Sequence, residues 1–343
     1  MTPSPPHYSL RSLLPMPNES RLARAWPRIV LVTLLAVLVT FVERGLHLQT
    51  YSLTATPFTL LGVAISFFLG FRNTTAYNRY WEARTLWGRL INTSRALARQ
   101  TLTQAAPTRM TPSAPVDMFA SDGDTDGENA EALRCRGDGP TVSEEAEARE
   151  VHAWQEGMVH LVIGYAHSLH HHLRGSKVLP TLHSHMNSAE LERLRGQDNM
   201  PLGLLVVMAQ RLQEARRRGW LNAPDILIME GSLTQLTEVL GGCERIHNTP
   251  MPITYTLLSH RIVTIFCCAL PFGLVDTVKV LTPFVVFLVA YAFIGLDVLG
   301  EEISGPFGTD PHDIPLPALT ATIEANLMQM LNEHKFLLNE HKL

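Results

Sequence analysis

The sequence predicts an all-α membrane protein with four transmembrane helices and a helical cytoplasmic domain. Three observations support this fold class. The 343-residue chain contains four uncharged apolar runs, its arginines flank the first pair of runs, and the long segment between the second and third runs has helical periodicity. Together they predict two helical hairpins separated by a polar domain.

The four apolar runs have the composition of membrane helices. They are Ile29–Val42, Pro57–Phe71, Ile262–Val275 and Val280–Leu296. A spanning helix needs about 20 mostly apolar residues, so the first and third runs are short alone. The third extends back through Pro252–Leu258 if Arg261 faces protein or water. A soluble four-helix core is the alternative, but the runs lack the polar face of an amphipathic bundle helix.

The distribution of arginine predicts the orientation of the hairpins. Arginines precede the first run and follow the second, whereas the connections within each pair of runs are poor in Arg and Lys. By the positive-inside rule, both termini and the middle segment are cytoplasmic, in an inner (plasma) membrane protein. The first run lacks a following small-residue cleavage site, so we expect it to be retained.

These features predict five regions along the chain. They are a cytoplasmic N-terminal segment 1–28, a first hairpin 29–72, a cytoplasmic helical domain 73–250, a second hairpin 251–300 and a cytoplasmic C-terminal segment 301–343. Within the helical domain, residues of about 102–150 are rich in Pro, Gly, Ser, Thr and acidic side chains. Such a composition buries too little apolar surface to fold, and it predicts a disordered insert.

Composition argues against several function classes. The net charge of −4 is unlike that of a general nucleic-acid binder. Cys267 and Cys268 are adjacent in an apolar run, which is typical of core residues rather than of a disulfide or zinc framework. The sequence contains no HExxH motif, paired carboxylates or nucleophile motif, and it therefore predicts no enzyme.

A histidine cluster has two interpretations. His167, His170 and His171 share a helix face, the arrangement that a metal needs, and His172 and the HSH of 183–185 are near in sequence. Because no carboxylate or cysteine is close in sequence, the alternative is a set of exposed histidines on a surface helix.

Several motifs next to the apolar runs resemble one family. FLGFRNTTAYNRYWEARTLWGRL (68–90), GGCERIHNTPMP (241–252) and LDVLGEEISGPFGTDPHDIPL (296–316) together resemble the bestrophin family of ion channels, specifically its prokaryotic branch. The resemblance implies a homopentamer in a lipid bilayer, with a central pore for small monovalent ions. The remaining alternative is a membrane scaffold without conductance.

The resemblance also implies a narrow apolar neck in the pore. Carried onto this sequence, the neck residues are Val63, Phe67 and Phe71. Residues four apart stack on one helix face, so five copies would form three apolar rings, and such a constriction can gate by dewetting. Without the resemblance, the same three side chains would be interpreted as ordinary helix-packing residues.

Two further family sites carry over less directly. A cytoplasmic aperture falls near Leu233, with Leu236 as a nearby alternative. A calcium clasp would involve Glu302, Asp310 and Asp313, but Gly305 replaces a side-chain ligand, and calcium prefers six to eight oxygens. The alternative for this stretch is a Pro-Gly turn in which Asp313 caps a following helix.

The residues after the neck bear on ion preference. Arg72 and Asn73 are expected to face a vestibule, where the guanidinium would favour anions such as chloride. Alternatively, the arginines of this segment pair with acids such as Glu82 and Glu244 and hold helices together. The acidic Glu301, Glu302 and Asp310 favour cations, so a cation-conducting homologue stays open.

Overall fold

The computed structural model describes residues 21–46, 54–108, 142–176, 191–192, 194 and 196–340. Every regular element in these ranges is helical, which confirms the all-α fold class. In chain order they are α1 Arg21–Leu46, α2 Ala55–Gln104, α3 Val142–Leu173, α4 Met200–Arg217, α5 Ala223–Asn248, α6 Ile253–Val278, α7 Thr282–Glu302 and α8 Leu316–Glu340. A 3₁₀ turn, Lys279–Leu281, joins α6 to α7.

The chain divides into two compact units. The first unit contains the chain up to Thr85 together with Arg245–Ile314, and the second contains Leu86–Glu244 together with the chain from Pro315. The limits of both units differ from the boundaries that the sequence predicted for the five regions. Residues 73–85 of α2 also belong to the first unit. Within this unit, Arg79 donates hydrogen bonds to the carbonyl of Ile246 in the last turn of α5 and to that of Thr249, which follows the helix.

The predicted apolar runs lie in α1, α2, α6 and α7, which form the core of the first unit. Each helix contributes a stripe at intervals of three or four residues, such as Ala25, Ile29, Val32 and Ala36 on α1. Three stretches of the described chain are long and apolar enough to cross a membrane: Ala25–Arg44, Ala55–Gln104 and Ile253–Glu302. The third contains both α6 and α7, and the number of membrane passes stays a prediction.

Helix α2 is continuous across the junction between apolar and basic sequence. It has 50 residues. Residues of its basic half, among them Trp87, Leu90 and Leu97, are also buried. The predicted insert is shorter than expected, because α2 extends to Gln104 and α3 begins at Val142. Residues 109–141 of the insert lie outside the described ranges.

The second unit is organised around the end of α2. The last carbonyls of a helix have no partner within it and need an external donor. The buried side chain of Gln155 on α3 is such a donor. Its Nε2 atom lies 3.3, 3.4 and 3.1 Å from the carbonyl oxygens of Thr101, Leu102 and Ala105, to which it donates. Helix α8 belongs to the same unit, in which Lys335 Nζ donates to Glu156 of α3 at 2.7 Å. The predicted C-terminal segment is therefore divided, since residues 301–314 lie in the first unit and the residues from 315 lie in the second.

Replacing Gln155 should destabilise the second unit. Gln155→Ala leaves the terminal carbonyls of α2 buried without a donor, which costs about 1–3 kcal/mol. We expect a lower thermal unfolding midpoint for the purified variant. The control is Gln329→Ala, because Gln329 is an exposed glutamine that donates to Glu333 of the same helix. Equal midpoints for both variants would contradict the capping role.

Candidate functional site

The neck residues predicted from the family resemblance lie on an accessible face of α2. As residues, Val63, Phe67 and Phe71 are 52%, 65% and 71% exposed in the single chain. At about 100° per residue, four-residue steps keep the three side chains within one face. In a single chain, a helix face that lines a pore and a helix face that contacts lipid are both exposed to this extent.

The opposite face of α2 is buried. Ile65, Leu69, Arg72 and Ala76 are all buried, and Leu69 lies about 200° around the helix from Phe67. Phe68, between these faces, packs its ring against Tyr255 of α6 with centroids 5.0 Å apart. The packing against the rest of the first unit therefore turns Phe67 and Phe71 away from that core.

Arg72 does not present its charge to solvent. Its side chain is 1% exposed, and its Nη1 atom forms an ion pair with Oδ1 of Asp297 on α7. The same atom donates to the Ser259 hydroxyl of α6 and to the Asp297 carbonyl, both at 3.1 Å. The expected contact between Arg72 and a vestibule ion therefore does not fit the structure, in which the guanidinium is occupied inside the helix bundle.

Asn73 has a similar packing role. Its Nδ2 donates to the Leu296 carbonyl of α7 at 3.0 Å. One amide N–H of Asn73 thus docks α2 on α7, and a contact of this side chain with a vestibule ion stays a prediction.

A histidine completes the polar cluster at Asp297. Nδ1 of His260 on α6 contacts the second carboxylate oxygen of Asp297, and Nε2 lies 3.2 Å from Glu301 on α7. The Ser259 hydroxyl donates to Asp297 Oδ1 at 2.6 Å. We call Arg72, Ser259, His260, Asp297 and Glu301 the Asp297 network. Its members come from α2, α6 and α7.

Two other arginines of α2, Arg79 and Arg89, contact α5 or the residue after it, and Glu82 of α2 pairs with an arginine of α5. Arg79 donates to the carbonyls of Ile246 and Thr249. Arg245 pairs with Glu82, and Arg89 lies 3.8 Å from Glu238.

The structure places Leu233 inside the second unit. It is 4% exposed, and the alternative Leu236 is also buried. On the same helix, α5, Leu227 and Ile228 are the large apolar side chains that stay accessible. Helical periodicity alone could not distinguish these positions, because the helix has several apolar residues on adjoining faces.

The predicted calcium ligands do not converge in the structure. Oδ2 of Asp313 accepts the Asp310 backbone N–H at 2.8 Å, which closes the turn before α8. Glu302 is buried at the end of α7, and its Oε1 lies 3.6 Å from His312 Nε2. Within the described ranges, no group of three or more His, Cys, Asp or Glu is placed to hold a metal ion. The residues therefore do not fit a calcium clasp, and the turn interpretation fits them better.

Comparison with known proteins identifies the family. A sequence profile described as "Bacterial/Fungal Bestrophin protein" matches residues 2–119 and 139–329. The chain belongs to the bacterial and fungal bestrophin family. It is therefore a membrane protein of an ion-channel family, and this class is not an enzyme class.

Similar bestrophins include named channel proteins and solved structures. The voltage-dependent anion channel-forming protein YneE of Escherichia coli K12 is 34% identical over 92% of this chain and 90% of its own length. The corresponding protein RSc3414 of Ralstonia nicotianae is 31% identical over 96% and 94%. The structure of a mutant bacterial bestrophin homologue from Klebsiella pneumoniae is 30% identical, with a TM-score of 0.72 over 90% of this chain and 99% of that chain.

In this bestrophin, the histidine cluster is part of the packing of the second unit. His167 contacts Glu324 of α8 at 2.9 Å, and His172 contacts Glu244 of α5 at 3.0 Å. His170 and His171 lie against each other with ring centroids 4.8 Å apart. The carboxylates that contact these histidines come from segments far away in sequence. HSH at 183–185 lies outside the described residues.

The histidine cluster predicts a loss of stability in acid. Burial, with a smaller effect of the positive charges of His171 and Arg174, lowers the pKa of His170 from 6.5 to about 4. The folded state resists protonation of His170, so stability falls as the pH decreases from about 6.5 towards 4. Glutamine cannot be protonated, so His170→Gln should lose less unfolding free energy between pH 7 and pH 5 than the wild type. We expect a difference of about 1 kcal/mol, because the partial exposure of His170 to solvent weakens the effect.

The measurement is chemical unfolding of the purified protein at several pH values. His247→Gln is the control, because His247 is an exposed histidine outside the cluster. If His170→Gln keeps the pH dependence of the wild type, burial does not govern the protonation of His170.

Proposed function

We propose that this protein is a pentameric channel for small monovalent anions such as chloride, with a neck formed by Val63, Phe67 and Phe71. The observation that carries the proposal is the accessible apolar face of α2, which lies opposite its buried face. The names of the similar proteins, which describe voltage-dependent anion channel formation, support anions as the conducted species.

The proposed neck works by excluding water. Five copies of α2 would place three rings of apolar side chains around one axis, and a hydrated ion meets no polar partner there. A small change in the radius of the rings then decides whether water and ions pass. Because the rings carry no charge, they set no preference for the sign of the ion.

A second constriction is proposed on α5. The resemblance to the family placed it near Leu233, but Leu233 is buried, which favours Leu227 and Ile228, the accessible apolar residues near the start of the same helix. These side chains are 76% and 49% exposed, so they are available to line an opening between copies.

The proposed orientation places the protein in the inner (plasma) membrane with both termini cytoplasmic. The arginines that follow Phe71 support it, because cytoplasmic segments next to membrane helices carry an excess of Arg and Lys. Arg79 and Arg245 then serve twice, as packing groups and as orientation signals.

Truncating the neck side chains should increase the current. Phe67→Ala and Phe71→Ala widen the apolar rings and lower the dewetting barrier, with about tenfold more current for each 1.4 kcal/mol removed. Purified protein in planar bilayers gives the measurement. Leu61→Ala is the control, since Leu61 is an equally apolar, 54% exposed residue of α2 on a different face. Equal effects of all three variants would contradict the assignment of the neck.

Reversal potentials test the choice of ion. In a tenfold gradient of KCl, an anion channel reverses near the equilibrium potential of chloride, about 59 mV from zero. A reversal near the potassium potential would identify a cation-conducting homologue. A reconstituted protein that passes no current in any salt would contradict the channel function and favour a scaffold.

A further inference from the structure

We propose that Asn78 of α2 determines the ion preference of the channel, and that its side-chain amide donates hydrogen bonds to a partly dehydrated small anion directly after the neck. The proposal rests on the proposed channel function and names the group that gives the pore its preference for anions. It follows from the position of Asn78 on α2 and from the contacts of the neighbouring polar and charged side chains.

The face of α2 that carries the proposed neck becomes polar after Phe71. At about 100° per residue, Thr74, Asn78 and Thr85 lie within about 20° of Phe67 around the helix. All three polar residues are exposed in the single chain. A helix that presents Phe67 to a pore therefore presents these residues to the same pore, and Asn78 follows Phe71 by about 10 Å along the helix.

Asn78 differs from the two threonines in the protons that it can offer to an ion. The hydroxyl of Thr74 donates to the Gly70 carbonyl at 2.9 Å, and that of Thr85 donates to the Trp81 carbonyl at 2.8 Å. A hydroxyl has one proton, whereas a side-chain amide has two N–H groups. In the described part of the chain, no group accepts a hydrogen bond from the exposed Asn78 amide. Its N–H groups are thus available to an anion.

The charged residues that are near Asn78 along α2 have partners of their own. Arg72 is buried against Asp297, and Arg79 donates to backbone carbonyls. These two arginines lie about 140° and 120° from Phe67 around the helix. Glu82, about 60° from Phe67, pairs with Arg245 of α5. An ion that leaves the neck on this face therefore meets an uncharged amide before it meets an unpaired charge.

This arrangement gives the amide a specific task. The apolar rings set no preference for the sign of an ion, and an ion that passes them needs polar groups in place of the water that it has lost. The N–H groups of Asn78 supply such contacts to an anion. Because the amide is neutral, the contact is weak enough for the ion to leave again, as conduction requires.

The experiment compares the wild type with Asn78→Asp and Arg84→Gln as full-length purified proteins in planar bilayers. Asn78→Asp keeps the shape of the side chain and replaces its N–H donors with an ionised group that only accepts hydrogen bonds. Arg84→Gln is the matched control, because it makes the same change in charge at an exposed residue of α2. Arg84 lies about 100° from Phe67, away from the neck face.

The reversal potential in a gradient of KCl gives the ratio of chloride to potassium permeability. We expect Asn78→Asp to lower this ratio by about tenfold, because a ring of carboxylates favours cations. Arg84→Gln should keep the ratio of the wild type within about twofold. Phe71→Ala should change the current and keep the ratio, since the ring that it widens carries no charge.

A second variant covers the case in which Asn78→Asp does not fold. Asn78→Ala removes the donors without adding charge, and alanine is favourable in a helix. We expect it to lower the permeability ratio by about threefold, the effect of one lost hydrogen bond of modest strength.

The possible outcomes separate this proposal from the channel function. A conducting protein in which the Asn78 variants keep the ratio of the wild type would overturn the role of Asn78 and leave the channel function intact. An equal effect of Arg84→Gln would also overturn it, because surface charge in general would then set the ratio. A wild type that prefers potassium would contradict the anion contact, and a wild type without current would contradict both proposals.

Discussion

The first unit depends on one buried charge. Arg72 is enclosed by α2, α6 and α7, and a buried guanidinium is tolerated only with close partners. Removing one partner from such a pair costs about 3–5 kcal/mol, so helix α2 has to keep this face against Asp297. Since Phe71 is the preceding residue, the same requirement turns the proposed neck away from the core. An electrostatic contact thus orients an apolar surface.

The arginine-rich junction of α2 combines two roles that the sequence suggested separately. The apolar half provides an accessible stripe, and the basic half is bonded to helix ends and acids, as with Arg79 at the carbonyls of Ile246 and Thr249. Because α2 is continuous, a rotation at Arg72 is also a rotation at Phe67 and Phe71.

Much of the fold was predictable, and the partners of the charged residues were not. Apolar runs and helical periodicity indicated α1, α2, α6 and α7, and short motifs indicated the bestrophin family. The partner of Arg72 could not be predicted, because Asp297 is 225 positions away and adjoins an apolar run. His167 likewise pairs with Glu324, 157 positions away. For Leu233, periodicity predicted a helix but could not identify its buried face.

The proposed neck is tested most directly by measuring whether its face of α2 is accessible to water during conduction. Phe71→Cys and Leu61→Cys are compared with the wild type in planar bilayers while a charged thiol reagent is added. We expect the reagent to change the current through Phe71→Cys and to leave Leu61→Cys and the wild type unaffected, since Phe71 belongs to the proposed neck and Leu61 lies on a different face of α2. Modification that alters the Leu61→Cys current but not the Phe71→Cys current would contradict it.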